Sequence, residues 1–344
     1  MSAVAPAIVA SAERALAVQH VGQWRVFTLD DGAGTQLQVS DLGATWLSCR
    51  VPLREGGTRE ALLGRATPAE HVSQPGYLGS VVGRYANRIH RARFTLEGRE
   101  VQLAANEGPN QLHGGPDGFH RRRWRVVHHD RTLLQLALHS PDGDQGFPGA
   151  LDALVTYAIA GPGMVALHFE ATVDRPCPVN LTSHAYFNLD GPEARSTIAQ
   201  HRLAIRAQHV LSVDDALIPT GELLPVAGTP FDLRSPREIG PQRFDHCFAL
   251  DEGSGPAATL WSADGRLRMD LHTDYPGLQF YGGHFLPGTL DRQGREYAAG
   301  AGLALEPQYW PDSPNRPEWA ARHGVVLQPG QWRRRFMRLQ FSAD

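Results

Sequence analysis

The stretch Val165-Ala166-Leu167-His168-Phe169-Glu170-Ala171-Thr172-Val173 sets an apolar residue at every second position. A period of two collects those side chains on one face of an extended strand, whereas a helix would scatter them around its axis. Leu267, Met269 and Leu271 repeat the pattern, and so do Met337, Leu339 and Phe341. Phe94 and Leu96 lead through Glu97-Gly98-Arg99-Glu100 into Val101 and Leu103, which reads as a hairpin whose glycine supplies the positive φ of the turn. Apolar periods of helical type over roughly ten or more residues are scarce, and Pro317 to His323 suits a short helical turn at most. The 36 glycines and 25 prolines are spread along the chain instead of gathered in one linker, so elements are short and turns many. Strand and helix do not alternate as a parallel α/β sheet requires. The reading is therefore all-β, a large antiparallel β-sandwich or barrel.

At about 100 to 200 residues per domain, a chain of 344 residues allows one large domain or two ordinary ones. No internal repeat and no shift of composition marks a boundary, so residues 21–344 read as a single domain. Before it, residues 1–20 form an Ala-rich leader that is expected to be poorly ordered. The leader has no basic n-region and carries Glu13 and Arg14, unlike a secretory signal. No run of about 18 apolar residues is present to cross a membrane. With 33 basic residues against 36 acidic ones, the chain lacks the basic excess of a nucleic-acid surface. Cys49, Cys177 and Cys247 are odd in number, widely spaced and without a CxxC pair, which fits reduced buried thiols and a cytoplasmic location. Nothing in the sequence specifies an oligomeric state.

The sequence contains no lysine, so all 33 basic side chains are arginine. A Schiff base, a pyridoxal-phosphate anchor and a P-loop amine are excluded together, since each needs an ε-amino group. There is likewise no G-x-G-x-x-G after a strand, no Walker motif, no H-E-x-x-H and no G-x-S-x-G elbow.

Six segments place polar residues among apolar or glycine-rich strand ends: GRYANRI (Gly83–Ile89), NQLHGG (Asn110–Gly115), NLTSHAYFNL (Asn180–Leu189), FDH (Phe244–His246), PGLQFYGG (Pro276–Gly283) and LEPQYWPD (Leu305–Asp312). Arginine, asparagine, aspartate, glutamine and aromatics suit a sugar, whose vicinal hydroxyls want fork-like donors and acceptors while its C–H face wants an apolar platform. Taken singly, each has a plainer role. His184 is one of 16 histidines and Arg88 an ordinary ion-pair partner. Glu306, beside Leu303 to Leu305, needs a partner if buried. His113 is the least ordinary, because Gly114 and Gly115 leave room for a ligand to approach the backbone.

In order and approximate spacing the six segments resemble the signature blocks of the aldose 1-epimerases, also called galactose mutarotases, over roughly residues 22 to 342. The resemblance implies a β-sandwich of the supersandwich type. It also implies a general acid at His184, a general base at Glu306, and sugar-binding residues at Asn87, Arg88, His113, Tyr186, Asp245 and Gln279. The chain departs from the family wording at Ala185 beside the acid and at Pro307 beside the base. Interconverting the anomers of a hexose such as galactose or glucose needs one base at the C1 hydroxyl and one acid at the ring oxygen, with no metal, cofactor or covalent intermediate. The basic run Arg121 to Arg123 would suit a hexose 6-phosphate if it faced the site. The same polar set would also serve a non-catalytic carbohydrate-binding protein, and His113, His184 and Glu306 would serve a metal enzyme.

Overall fold

The strand Met164–Val173 lies inside a nine-stranded antiparallel sheet, with Leu151–Gly161 on one side and Arg333–Ser342 on the other. Arg268–Thr273 follows Arg333–Ser342, so the three alternating stretches of the sequence are adjacent strands. Val165 stands opposite Leu339, Leu167 opposite Met337, and Met269 opposite Phe341. All six of these side chains are buried, while His168 on the other face is exposed. A slip of one residue would turn the whole apolar set outward, so burial fixes the register.

The computed structural model describes residues 18–73, 76–192, 197–320 and 322–343. A second sheet has six strands in the order Tyr186–Phe187, Leu303–Gln308, Gly277–Tyr281, Asp245–Ala249, His209–Val213, Pro219–Pro225. A third is a five-stranded meander from Val18–Val21 to Thr58–Glu60. One buried apolar cluster runs from Phe27 to Phe341 and takes side chains from all three sheets. Trp46 of the meander ties them together, meeting Tyr157 of the nine-stranded sheet at 6.1 Å and Phe187 of the six-stranded sheet at 6.3 Å, both edge to face. Such aromatic pairs add about 0.5–1.5 kcal/mol each beyond the area they bury. Among the described residues the one α-helix is Pro68–Ser73, and the turn expected after Pro317 is a 3₁₀ turn, Pro317–Trp319. The fold is all-β, built of large antiparallel sheets.

The hairpin is tighter than its sequence suggests. Leu96 pairs with Arg99, so Arg99 and Glu100 already belong to the second strand and the turn is Glu97-Gly98 alone. Both central residues have positive φ, 50° and 76°, the two-residue turn whose twist matches its strands. The expected leader, residues 1–20, lies outside the described residues except for Val18 to His20, which pair with Arg25 to Phe27. No described helix is long and apolar enough to cross a membrane. Cys49, Cys177 and Cys247 are free and buried.

The six-stranded sheet positions the chemistry. Leu303–Gln308 and Gly277–Tyr281 are buried at every position. With one face of these strands spent on the core, the other can line a sheltered cavity on a rigid base.

Candidate active site

Four neighbouring strands supply the floor. Glu306 stands directly across from Gln279, and Asp245 from Tyr281. Tyr186 pairs with Ala304, two positions from Glu306, and His184 precedes it by two residues. The wall comes from a short ladder in which Arg88 pairs with Leu112. Asn87 and His113 flank that pair in the left-handed region, with φ of 67° and 52°, and hold one another reciprocally. The His113 N–H donates to the Asn87 carbonyl at 3.1 Å, and the Asn87 N–H donates to His113 Nδ1 at 3.1 Å.

Together they enclose a cavity of about 190 Å³, lined by Asn87, Arg88, His113, His184, Tyr186, Asp245 and Glu306 among others. At roughly 30 Å³ of liquid volume per water, that is room for about six waters, the scale of one sugar ring. His184 Nε2 and Glu306 Oε1 are 3.6 Å apart at its base, both side chains buried. Arg88 grips Glu107 with two bonds of 2.8 Å and reaches to 3.8 Å from Asp245. Gln279 does not line the cavity. Its amide donates to Asp245 Oδ1 at 2.7 Å, which holds that carboxylate from behind.

Burial governs the electrostatics. Loss of water pushes His184 down to about 4, and pushes Glu306 well above the usual carboxylate range with the Asp245 charge adding to the effect and Arg88 opposing it. His113 is pushed well down by burial and by its histidine and arginine neighbours. His184 Nδ1, Glu306 Oε2 and Gln279 Oε1 are buried without a hydrogen-bond partner among the described residues. Each such orphan costs a fold roughly 1–3 kcal/mol, and two of them, His184 Nδ1 and Glu306 Oε2, belong to side chains on the cavity lining.

Ligand atoms of His113, His184 and Glu306 lie within 4.8 Å of one another, close enough to suggest a metal centre. The hydrogen-bond pattern speaks against it. Because His113 Nδ1 accepts from a backbone N–H, the neutral ring carries its proton on Nε2 and offers a donor, not a lone pair. Two members of the arginine run are spent elsewhere, while the charge of Arg121 reaches Tyr77 on the cavity lining. Arg122 pairs with Asp117 and Asp144, Arg123 with Asp41, and none of Arg121, Arg122 and Arg123 lines the cavity.

Sequence reading missed Glu107, Tyr77, Tyr281 and Phe285, all of which line the cavity. Glu107 sits in the run leading to NQLHGG, and an unpaired Arg88 was the signal that a carboxylate belonged nearby. Tyr77 follows Gly76 outside any motif and offered none.

The family model for aldose 1-epimerase matches residues 25–340. The chain belongs to the aldose 1-epimerase family. It is 44% identical over 335 residues to the aldose 1-epimerase of Escherichia coli, covering 93% of this chain and 96% of that one. It is 40% identical over 329 residues to the human galactose mutarotase, covering 88% and 93%. A solved aldose epimerase homologue from C. elegans superposes with a TM-score of 0.87 at 29% identity, covering 92% of this chain and 98% of that one.

Two local features let this member of the family hold its site. Pro307 keeps the register of the strand bearing Glu306, since Leu278 pairs with Pro307 and Gly277 with Gln308. The far side of that strand is laddered only at Leu303 and Ala304, so the missing N–H interrupts nothing there. Gly114 is the second. Its φ is 86° and a Cβ there would collide with the Gly83 carbonyl, which is backbone and has no rotamer to give. Gly114→Ala is expected to lower stability by about 1–3 kcal/mol and to displace His113. Chemical denaturation checks this, and an unchanged midpoint would mean that the loop has room to spare.

Proposed function

We propose that this chain interconverts the α and β anomers of free hexoses, galactose or glucose, by acid–base opening and reclosure of the ring. The observation that carries the reading is the buried His184–Glu306 pair, 3.6 Å apart at the base of a ring-sized cavity. In ring opening Glu306 takes the proton of the C1 hydroxyl, and the C1–O1 bond becomes a carbonyl. The C1–O5 bond breaks with its electron pair going to the ring oxygen, which receives a proton from His184. Rotation about C1–C2 turns the other face of the aldehyde to O5. On reclosure His184 takes the proton back and Glu306 returns one to O1, so the enzyme ends as it began. Arg88 and the Nε2–H of His113 are suited to donate to sugar oxygens and steady the charge that develops. Asp245, held by Gln279, accepts from a hydroxyl, while Asn87 and Tyr186 shape the wall.

Polarimetry on freshly dissolved α-D-galactose tests the reading. Purified protein is expected to speed the approach to equilibrium rotation in proportion to its concentration, and a rate equal to that of buffer alone would refute it. Residues 21–344 are read as one catalytic domain. The three buried free thiols favour a reducing, cytoplasmic setting.

The pair works with one proton shared between its members, and its pH dependence follows. With His184 pushed down to about 4 and Glu306 pushed up, the two groups compete for that proton in the empty site. Transfer to His184 gives the productive form without change in the proton count. Acidification through about pH 4 adds a second proton and leaves no base. Alkalinity beyond the raised Glu306 value removes the only proton and leaves no acid. After subtraction of the buffer rate, kcat/KM is expected to show its acid limb near 4. A limb near the ordinary histidine value of about 6.5 would mean that His184 is not desolvated.

A further inference from the structure

His184 lacks the support that proton-transferring imidazoles ordinarily have. The second nitrogen of such a ring is usually fixed by a hydrogen bond. Here Nδ1 is buried without a partner among the described residues, and Nε2 faces Glu306 at 3.6 Å, too far for a strong hydrogen bond. Beyond Glu306 and its own backbone, what touches the imidazole is aromatic. Tyr186 lies near-parallel at 5.0 Å and 27°, Tyr77 near-parallel at 5.8 Å and 28°, and His113 meets it edge-on at 5.1 Å.

Tyr77 is itself held firmly. Its φ of 54° lies in the left-handed region, where a bulky residue stores about 1–3 kcal/mol that its surroundings must offset. The ring edges onto His113 at 4.6 Å and His120 at 4.7 Å. We infer that Tyr77 is a positioning residue: its ring, together with Tyr186, fixes the angle at which His184 meets the ring oxygen of the sugar and keeps water off the imidazole. This rests on the anomer-exchange reading above.

The titratable and charged groups around His184 are Glu306, His113, His120, Tyr77 and Tyr186, with Arg88 and Asp245 beyond Glu306 and Arg121 beyond Tyr77 and His120. Burial pushes His113 well down and His120 down to about 3, so neither is charged near neutrality. Water admitted where the Tyr77 ring now sits would therefore act on His184 chiefly through its desolvation.

The test compares wild type, Tyr77→Phe and Tyr77→Leu by polarimetry on α-D-galactose across pH, with circular dichroism to confirm folding. Tyr77→Phe keeps the ring and is expected to keep kcat. Tyr77→Leu is expected to lower kcat about 10- to 100-fold with KM nearly unchanged. Its acid limb should rise from about 4 toward 6.5. If Tyr77→Leu does not fold, Tyr77→Met supplies the same two readouts. A ringless variant with full kcat and an unmoved limb would overturn the inference, as would a rise in KM alone or an equal loss in Tyr77→Phe. Inactive wild type would instead overturn the anomer-exchange reading.

Discussion

Glu306→Gln is expected to lower kcat by about 10²- to 10⁴-fold, the usual worth of a positioned acid–base group, without lowering stability. Glutamine matches the glutamate in shape but cannot take a proton from the C1 hydroxyl. Nothing structural is lost with the charge, because Oε2 has no partner and Oε1 only faces His184 at 3.6 Å. The sign of the stability effect follows from burial. A carboxyl whose folded pKa is raised stabilises fully only below its unfolded value, about 4.3, and that stability is lost as pH rises through the folded value. At neutral pH the substitution removes this cost, so the denaturation midpoint should hold or rise. Glu60 makes the contrast. It too is buried, but its carboxylate accepts from the Cys49 N–H at 2.7 Å and the Leu62 N–H at 3.1 Å. Glu60→Gln should therefore weaken the fold. Denaturation curves on the two variants, beside polarimetry, check the pair of expectations.

His184→Asn is expected to cost a similar 10²- to 10⁴-fold in kcat, and the double variant His184→Asn/Glu306→Gln little more than either alone. On the proposed mechanism the two groups pass one proton across the sugar, so removing either stops the cycle and the second loss finds nothing left to remove. Independent contributions would multiply instead, to roughly 10⁴- to 10⁸-fold. Measuring kcat for both single variants and the double variant separates these outcomes. His184→Asn should also lower the denaturation midpoint somewhat, because the imidazole packs against Tyr77, Tyr186 and His113.

The sheets were legible because burial on one face writes itself into the sequence as a period of two. Val165 to Val173 showed that period, and so did the next two strands on one side of it in the same sheet. The site was legible as a set of segments but not in detail. Arg84 and Arg88 belong to one motif yet have opposite fates. Arg84 is fully buried and spends its guanidinium on Ser140 and on the carbonyls of Ser140, Pro141, Pro148 and Gly149, while Arg88 lines the cavity. Asn180 is likewise structural, spanning Ala86 and Tyr309. What separates them is which long-range partners the fold brings near, and a single sequence does not encode that locally. Gln279 shows the same limit: one register position across from Glu306, it acts through Asp245 and not on the cavity wall. Tyr77 and Glu107 were missed for the converse reason, since their importance lies wholly in contacts across the chain.

The central claim is that Glu306 and His184 share out the two oxygens of the anomeric carbon. A crystal structure of Glu306→Gln soaked with galactose measures this directly. The claim predicts the C1 hydroxyl oxygen within about 2.6–3.2 Å of the side chain at position 306, and the ring oxygen at similar distance from His184 Nε2. A sugar bound with its C1 end turned away from both side chains would contradict it.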